Sequence, residues 1–231
     1  MNISKDFQFA FKKTIPIMAG FTFLGITYGI YMHQEGFNFL YPTLMAFTIF
    51  GGSVEFIVAN LLTQHFDPLN VFLIVLIVNS RHLFYGLSML KKYHKLGKWE
   101  PYAIFGLCDE TFSINYSTKI PTNVDEKKFI MFVTLLNHAY WVLGAFLGGV
   151  FGSLININLP GLSFVMTALF IVLFVDQFLR ENNHLSSFLG VFTAILTLFL
   201  VGKTFFLPIS MLLIVGIFWI LDHRGGKRLS H

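Results

Sequence analysis

The side chains most able to do chemistry stand in three short polar stretches inside otherwise apolar segments. In the longest, Asn79, Arg81 and His82 follow a largely apolar run at 69–78. Charge so deep in such a run is costly in hydrocarbon and should face protein, water or a ligand rather than lipid. Arg81 precedes the lysines at 91–98 by about ten residues, roughly 15 Å of helix, which is near the midplane of a core roughly 30 Å thick. Its guanidinium therefore needs an internal partner.

In the second stretch, two adjacent glycines interrupt an apolar segment just before an acid. Gly51, Gly52 and Ser53 precede Glu55, and each glycine destabilises a helix interior by about 1 kcal/mol relative to alanine. An interrupted apolar segment beside a buried charge is typical of a transporter binding site. The alternative is a spanning helix kinked at its glycines, in which Glu55 is paired with a cation.

The third stretch holds two adjacent acids, Asp109 and Glu110, well inside a short apolar segment. Neighbouring positions on a helix point about 100° apart, so the two carboxyl groups should have different partners. A position of both at the membrane interface is the alternative. A permanent ion pair of Arg81 with Glu55 or Asp109 is as consistent with the sequence as a role of Arg81 in ligand binding.

The composition indicates a polytopic integral membrane protein. Hydrophobic residues make up 55% of the 231 positions and charged residues only 12%, whereas soluble domains carry about 25% charged residues. The fold class is therefore all-α: a membrane helix bundle of six to eight transmembrane segments, one or two of them broken or re-entrant, forming a single domain over residues 1–231. With one cysteine, Cys108, no intrachain disulfide is possible. The basic N-terminus lacks a cleavage site and leads into a retained first helix.

Eight apolar segments follow one another along the chain. They cover residues 14–32, 41–63, 69–90, 101–117, 129–151, 162–179, 186–201 and 207–221. In the third, Asn79 and His82 are three residues apart and should share one helix face. In the first, Gly20, Gly25 and Gly29 predict close approach of another helix. In the fifth, His138 is expected to form an interhelical hydrogen bond rather than bind a ligand. The last two segments are almost purely apolar and are interpreted as lipid-facing scaffold.

The distribution of basic residues favours six spans over eight. If the second and fourth segments enter and leave on the same side, the N-terminus, the loops at 91–98 and 119–128 and the basic tail all become cytoplasmic, as the positive-inside rule requires. Only Lys203 is then misplaced. Irregular backbone at membrane depth is tolerated where it is buried in protein or lines a cavity, and the two segments concerned are those with central Gly-Gly-Ser and Asp-Glu sequences.

Four motifs together resemble the AzlC family, the large subunits of branched-chain amino-acid exporters. They are Phe50–Phe56, Asn79–Gly86, Asp109–Phe112 and Gly161–Phe170, and the similarity extends over residues 14–203. The resemblance implies export of valine, leucine, isoleucine and similar amino acids across the bacterial cytoplasmic membrane, with a separate small membrane subunit resembling AzlD. Two positions depart from the family: Glu55 stands where glutamine is common, and Ser163 where aspartate is usual.

The side chains fit a zwitterionic amino acid. Arg81, or the backbone N–H groups at the Gly51–Ser53 break, would bind the carboxylate, and Asp109, Glu110 or Glu55 would bind the ammonium group. The chain lacks a nucleotide-binding motif, which favours a secondary transporter, proton-coupled through a buried acid. The alternatives are a passive facilitator for a small zwitterion and a subunit that only stabilises a transporting partner. The sequence predicts no cofactor and no metal. It also lacks the H-E-x-x-H and Gly-x-Ser-x-Gly motifs of membrane or serine hydrolases, so an enzyme is not expected.

Overall fold

In the computed structural model the described part of the chain is helical. The structure describes residues 4–63, 67–154, 184–202 and 205–224, together with positions 167, 171, 174, 175, 178 and 179. Within these residues there is no β-strand. The helices are α1 (Lys5–Gln34), α2 (Leu40–Thr48), α3 (Ser53–Leu62), α4 (Pro68–Val78), α5 (Ser80–Tyr93), α6 (Glu100–Phe105), α7 (Asp109–Ser117), α8 (Glu126–Leu154), α9 (Leu185–Val201) and α10 (Phe206–Arg224). A short 3₁₀ helix, His94–Trp99, joins α5 to α6.

The predicted segments correspond well to these helices. Segments one, five, seven and eight each form one helix, and the sixth segment, with Ser163, lies almost entirely outside the described residues. Two described helices, α1 and α8, are long and apolar enough to cross a membrane. The prediction of one or two broken segments is too low, because three segments are interrupted: the second at 49–52, the third at Asn79 and the fourth at 106–108. Asn79 lies in a turn between α4 and α5, so it does not share a helix face with His82 as predicted.

Helices α1 and α8 run parallel and form the main packing contact of the described chain. At their first residues, the N–H of Asp125 donates to Asp6 Oδ1 over 2.9 Å, and Lys128 pairs with Asp6 at 3.8 Å. At their last residues, a Cβ on Gly152 would lie 2.8 Å from Cβ of His33. The end formed by the first residues of α1 and α8 carries most of the lysines of the two helices, and we call it the basic end. The end formed by their last residues is called the distal end.

Glycines bring the two backbones together. A Cβ on Gly25 would lie 2.9 Å from Cα of Gly144, and Cβ atoms on Gly29 and Gly148 would collide with backbone of the facing helix. This small-residue seam is the arrangement by which membrane helices approach closely. The predicted seam is therefore confirmed at Gly25 and Gly29. It is wrong at Gly20, whose Cβ would meet no described atom within 4 Å, because five residues turn the helix about 140° away from Gly25.

The second segment folds as a hairpin, α2–α3, which we call hairpin one. Helix α2 begins beside the distal part of α8, where a Cβ on Gly149 would lie 2.8 Å from Cα of Phe39. It ends at the middle of α8, where Phe47 contacts His138. Helix α3 then begins, and the ring of Phe56 lies 5.7 Å from that of Tyr31 in the distal part of α1. The chain thus turns back towards the distal end.

The fourth segment folds as a second hairpin, α6–α7, or hairpin two, which enters from the basic end. Its first helix follows the lysine-rich 3₁₀ turn, and Ala103 packs among Phe129 and Val133 at the start of α8. Its second helix returns to the same end, because Lys92 Nζ donates to the Asn115 carbonyl at 2.9 Å and also lies 3.8 Å from Glu126. Both hairpins therefore reach the middle of α8, and they do so from opposite ends.

The chain divides into two compact units. The first contains residues 1–71 and 82–168, and the second contains residues 72–81 and 169–231. In the second unit, α9 and α10 pack on each other. Their outer surfaces are apolar, and Phe199 is 83% exposed. A large apolar residue so exposed is suited to lipid rather than water, which agrees with the interpretation of these segments as scaffold.

The glycine seam predicts a position-specific effect of added side-chain volume. We expect Gly29→Val to lower the stability of the purified protein by at least about 2 kcal/mol, because backbone atoms of α8 cannot move aside as a side chain can. Gly20→Val is the matched control, with the same change on the same helix and no described atom within 4 Å of its Cβ, and should be near neutral. Thermal unfolding in detergent measures both. Equal effects of the two substitutions would contradict the seam.

The hairpins predict which loops share a side of the membrane. In a Cys108→Ser background, Lys95→Cys and Asn123→Cys should react with an impermeant thiol reagent from one side, and Glu35→Cys from the other. The physical reason is that hairpin two begins and ends at the basic end, whereas α1 ends at the distal end. Labelling of positions 95 and 123 from opposite sides would show that α6 and α7 together cross the bilayer.

Candidate functional site

The tips of both hairpins meet on His138, at the middle of α8. The ring nitrogen Nε2 donates to the Phe47 carbonyl of hairpin one over 3.2 Å. The other nitrogen, Nδ1, accepts from the Tyr102 hydroxyl of hairpin two over 3.0 Å. A carbonyl oxygen can only accept, so this contact places the ring proton on Nε2. The prediction of an interhelical hydrogen bond at His138 is confirmed, and it connects two hairpins at once.

Aromatic rings fill the space around this histidine. Phe50 of hairpin one lies 4.9 Å from the His138 ring and 6.2 Å from the Phe105 ring of hairpin two. Phe21 of α1 closes the cluster at 6.3 Å from Phe50. Phe50 also has φ of 47°, a left-handed backbone that costs a bulky residue about 1–3 kcal/mol and that is found mainly at functional sites. The tip of hairpin one is therefore strained and held by packing.

Glu55 is the charged residue most deeply buried at the tips. It is fully buried, and its Oε1 accepts from the N–H of Gly51 and from the indole N–H of Trp141, each over 2.9 Å. The first contact is a variant of a capping box, in which an acid in the first helical turn satisfies a backbone donor just before the helix. Both donors are neutral. The second oxygen, Oε2, has no hydrogen-bond donor among the described residues.

A second polar chain joins hairpin two to α8. Asn137 donates from Nδ2 to Thr111 Oγ1 over 3.1 Å, and Thr111 lies 3.2 Å from the Cys108 sulfur. Asn137 is fully buried, and its Oδ1 accepts no hydrogen bond from the part of the chain that is described. Asn137 and Trp141 are four residues apart on one face of α8. This face therefore contacts hairpin two through Asn137 and hairpin one through Trp141.

Asp109 and Glu110 form the first turn of α7 and are half-buried. A carboxyl group in this position is stabilised by the positive end of the helix dipole and by the free N–H groups there. Glu55 has the same position in α3. The predicted acids of the second and fourth segments thus stand at two helix starts within the apolar region of the first unit.

The third predicted stretch is divided between the two units. Asn79 and Arg81 belong to the second unit, where Arg81 is in the first turn of α5 and half-buried. That turn contains no acid, and the helix dipole and the guanidinium both favour a bound anion there. His82 belongs to the first unit, and its ring packs edge-on against Tyr85 at 5.7 Å.

The structure brings together some predicted residues and adds others. Gly51, Gly52, Ser53 and Glu55 lie at the tip of hairpin one against Trp141. Phe50 and Tyr102 had no predicted role. A signal for Phe50 exists in the sequence, because Ile49-Phe50-Gly51 and Ile104-Phe105-Gly106 repeat at a distance of 55 residues. Among the described residues, no three histidine, cysteine or acidic side chains are grouped to hold a metal ion.

These features define a helical membrane protein with discontinuous helices that meet halfway along a long central helix. The AzlC protein family matches residues 16–155, and the chain belongs to that family. It is 53% identical to the branched-chain amino acid transport protein AzlC of Bacillus subtilis, over 93% of this chain and 85% of that protein.

More distant relatives are also membrane proteins. An uncharacterized membrane protein of Haemophilus influenzae is 47% identical over 97% of this chain and 91% of its own. The inner membrane protein YgaZ of Escherichia coli is 24% identical over 90% of this chain and 86% of its own. No solved structure matches this chain. The resemblance found in the sequence is therefore confirmed at the level of the family.

The hydrogen bond from Trp141 to Glu55 predicts a measurable loss of protein stability when the indole donor is removed. Trp141→Phe keeps the aromatic packing and deletes the indole N–H, which leaves a buried carboxyl group short of a hydrogen bond. We expect stability to fall by about 1–3 kcal/mol. Trp99→Phe, at a residue 53% exposed, is the matched control and should be neutral within about 0.5 kcal/mol. If thermal unfolding gives equal values for both variants, Trp141 does not stabilise Glu55.

Proposed function

We propose that this chain exports branched-chain amino acids across the bacterial cytoplasmic membrane as the large subunit of a two-component secondary transporter. The observation that carries the proposal is the meeting of two broken segments, each with an acid at a helix start, at the middle of a helix long enough to span the bilayer. Discontinuous helices meeting near the midplane are how many secondary transporters form substrate sites. The choice of branched-chain substrates rests on the Bacillus relative and its printed function.

Helix starts supply the candidate residues for the two charges of the substrate. Arg81, in an acid-free first turn, is assigned to the carboxylate, which it can bind in bidentate fashion. Asp109 and Glu110 are assigned to the ammonium group. The Gly51–Ser53 break is a weaker candidate for the carboxylate than the sequence indicated, because the Gly51 N–H already donates to Glu55. That donor becomes available to a ligand only after Glu55 releases it. Asn79 and His82 remain candidates beside Arg81.

The apolar side chain of the substrate would contact the aromatic cluster of the hairpin tips. Phe50, Phe105 and Phe21 present ring faces and edges to one another around His138. Apolar walls with few polar groups are the usual lining of small-molecule sites. The cluster suits valine, leucine and isoleucine and disfavours charged side chains, since these would lose hydration without gaining partners.

The same contacts support the six-span arrangement, with both hairpins re-entrant and the basic end cytoplasmic. Each hairpin begins and ends towards one end of α8, as a re-entrant segment must. The lysines of the basic end then lie where the positive-inside rule puts them. The chain carries no nucleotide-binding motif, so a gradient is the proposed energy source, with Asp109 or Glu110 as the proton-binding group. The small AzlD-like subunit is proposed from family resemblance.

Transport in vesicles tests the function directly. Inverted vesicles or proteoliposomes with this chain and the neighbouring small subunit should move valine and leucine against a concentration difference when a proton gradient is imposed. Movement only down the gradient would replace the proposal with a passive facilitator. Activity of the small subunit alone would make this chain a stabilising subunit. Unchanged valine and leucine movement with the pair present would remove the substrate assignment.

Substitutions at the acids test the coupling role. We expect Glu110→Gln or Asp109→Asn to reduce proton-driven valine efflux by about tenfold or more, because a neutral amide can neither take up a proton nor attract an ammonium group as a carboxylate does. Glu100→Gln, in the same hairpin at the basic end and paired with His94, is the control and should retain efflux. If both tip variants keep full, gradient-dependent efflux, neither acid carries the proton.

A further inference from the structure

Short sequence motifs recur in the two hairpins and in the helices before them. At the tips, Ile-Phe-Gly occurs at 49–51 and again at 104–106, and Glu55 has its counterpart in Glu110, each pair 55 residues apart. Ser53 likewise corresponds to Cys108. In the preceding helices, Tyr28-Gly29 and Met32 have counterparts 57 residues later, in Tyr85-Gly86 and Met89. The repeating unit is therefore a helix followed by a hairpin.

The structure shows the same equivalence in its packing. Tyr28 lies against Phe56, the phenylalanine that follows Glu55, with ring centres 5.2 Å apart. Tyr85 lies against Phe112, which comes two residues after Glu110, with ring centres 4.6 Å apart. Helix α1 runs towards the distal end and is followed by a hairpin from that end. The first-unit part of α5 runs towards the basic end and is followed by a hairpin from that end. The two repeats are thus inverted relative to each other.

The equivalent tips have different conformations. In hairpin two, the helix continues to Phe105, and the N–H of Gly106 donates to the Tyr102 carbonyl over 2.9 Å. In hairpin one, the helix ends at Thr48, and the equivalent N–H, that of Gly51, donates to Glu55 instead. The carbonyl of Phe47, which corresponds to that of Tyr102, is released from its helix and accepts from His138. One tip is wound and the other unwound, although both contain Ile-Phe-Gly and a glutamate four residues after that glycine. The residue after the shared glycine differs: it is Gly52, with φ of 45°, in hairpin one and Leu107 in hairpin two.

We propose that the two tips exchange these conformations, and that His138 makes the exchange reciprocal. In hairpin one, the Gly51 N–H leaves Glu55 for the Phe47 carbonyl, and the helix extends to Phe50. This relieves the left-handed backbone of Phe50, frees His138 Nε2–H and leaves the Glu55 carboxyl group with Trp141 as its donor. The proposal rests on the proposed function in one respect: the exchange gives a transporter its two alternating states.

In hairpin two, the matching changes occur in the opposite direction. The Gly106 N–H leaves the Tyr102 carbonyl for the Glu110 carboxyl group, and His138 Nε2–H turns from hairpin one to the Tyr102 carbonyl. Each of the three donors that lose an acceptor, the N–H groups of Gly51 and Gly106 and the Nε2–H of His138, gains the equivalent one, so the exchanged hydrogen bonds match in number and kind. Two states related by an inverted repeat are then close in free energy, which is the condition for both to be populated.

A single donor enforces the alternation. Each unwound tip exposes one helix carbonyl at membrane depth, where an unsatisfied polar group costs several kcal/mol. His138 has one ring N–H, because its other nitrogen accepts from Tyr102. It can therefore satisfy the carbonyl of one tip at a time. The two hairpins cannot both be unwound, just as the two gates of a transporter cannot both be open.

Selective labelling observes both tips at once without any substrate. The chain contains three Phe-Gly pairs: Phe50-Gly51, Phe105-Gly106 and Phe151-Gly152. Carbonyl-¹³C phenylalanine with ¹⁵N glycine therefore gives three amide signals in a carbonyl-edited NMR spectrum of the full chain in nanodiscs. Two report the tips, and the third, inside α8, is an internal reference for correct folding.

Replacing each glutamate in turn by methionine distinguishes the hydrogen bonding of the two tips. Glu55→Met removes the acceptor of the Gly51 N–H at similar volume, so the signals of both Gly51 and Gly106 should move while that of Gly152 stays. Glu110→Met should leave all three signals in place, because Gly106 donates to Tyr102 in the present state. Glu55→Gln, which keeps a carbonyl acceptor, should give the wild-type spectrum.

Other results overturn the exchange. A shift of Gly51 alone in Glu55→Met shows that the tips are not coupled, and no shift shows that Glu55 does not hold the unwound tip. If Glu55→Met loses the Gly152 signal, His138→Phe decides the matter: the released Phe47 carbonyl should recapture the Gly51 N–H and shift its signal, and an unchanged signal contradicts the proposal. Valine transport is not part of this readout, so failure of the substrate assignment leaves it intact.

Discussion

The structure depends on the requirement that every backbone polar group at membrane depth find a partner inside the protein. A continuous helix meets this requirement alone, whereas a broken helix releases donors and acceptors at its break. Hairpin one releases the Gly51 N–H and the Phe47 carbonyl, and the chain satisfies them with Glu55 and His138. Glu55 and His138, which are the kind of side chains expected to bind ligands or protons, therefore also stabilise the break in the helix.

The close packing of α1 on α8 also provides the space that the two broken segments occupy. The glycines of α1 and α8 let these helices pack backbone to backbone, so that one face of α8 remains free to receive both hairpins. On that face His138 and Asn137 contact hairpin two through Tyr102 and Thr111, and Trp141 contacts hairpin one. A rigid helix pair with two hairpins against it resembles the division between scaffold and moving parts that transport requires.

The inverted repeat relates the two hairpins to each other, and the proposed exchange of conformations requires both of them. The tripeptide Ile-Phe-Gly occurs in both a wound and an unwound tip, so it does not fix the conformation by itself. In the proposed exchange, the conformation of each tip depends on which carbonyl His138 satisfies. Glu55 Oε2 and Asn137 Oδ1 have no hydrogen-bond donor in the part of the chain that is described. They mark where an ammonium group or proton would lower the free energy, because a buried acceptor without a donor is costly.

The sequence by itself determined the helical membrane class, the family, the positions of the described apolar segments, the breaks at Gly51–Gly52 and before Asp109, and the packing role of Gly25 and Gly29. These follow from local chemistry: apolar length, glycine content and charge at depth act through nearest neighbours. It did not determine that Gly20 lies outside the seam, that Asn79 interrupts the third segment, or that Glu55 accepts from Gly51 and Trp141. Those depend on which helix faces meet across distances such as the 86 residues between Glu55 and Trp141. Only the tertiary structure decides that, because a broken helix presents several equally suitable donors and acceptors and the packing of α1 on α8 selects among them.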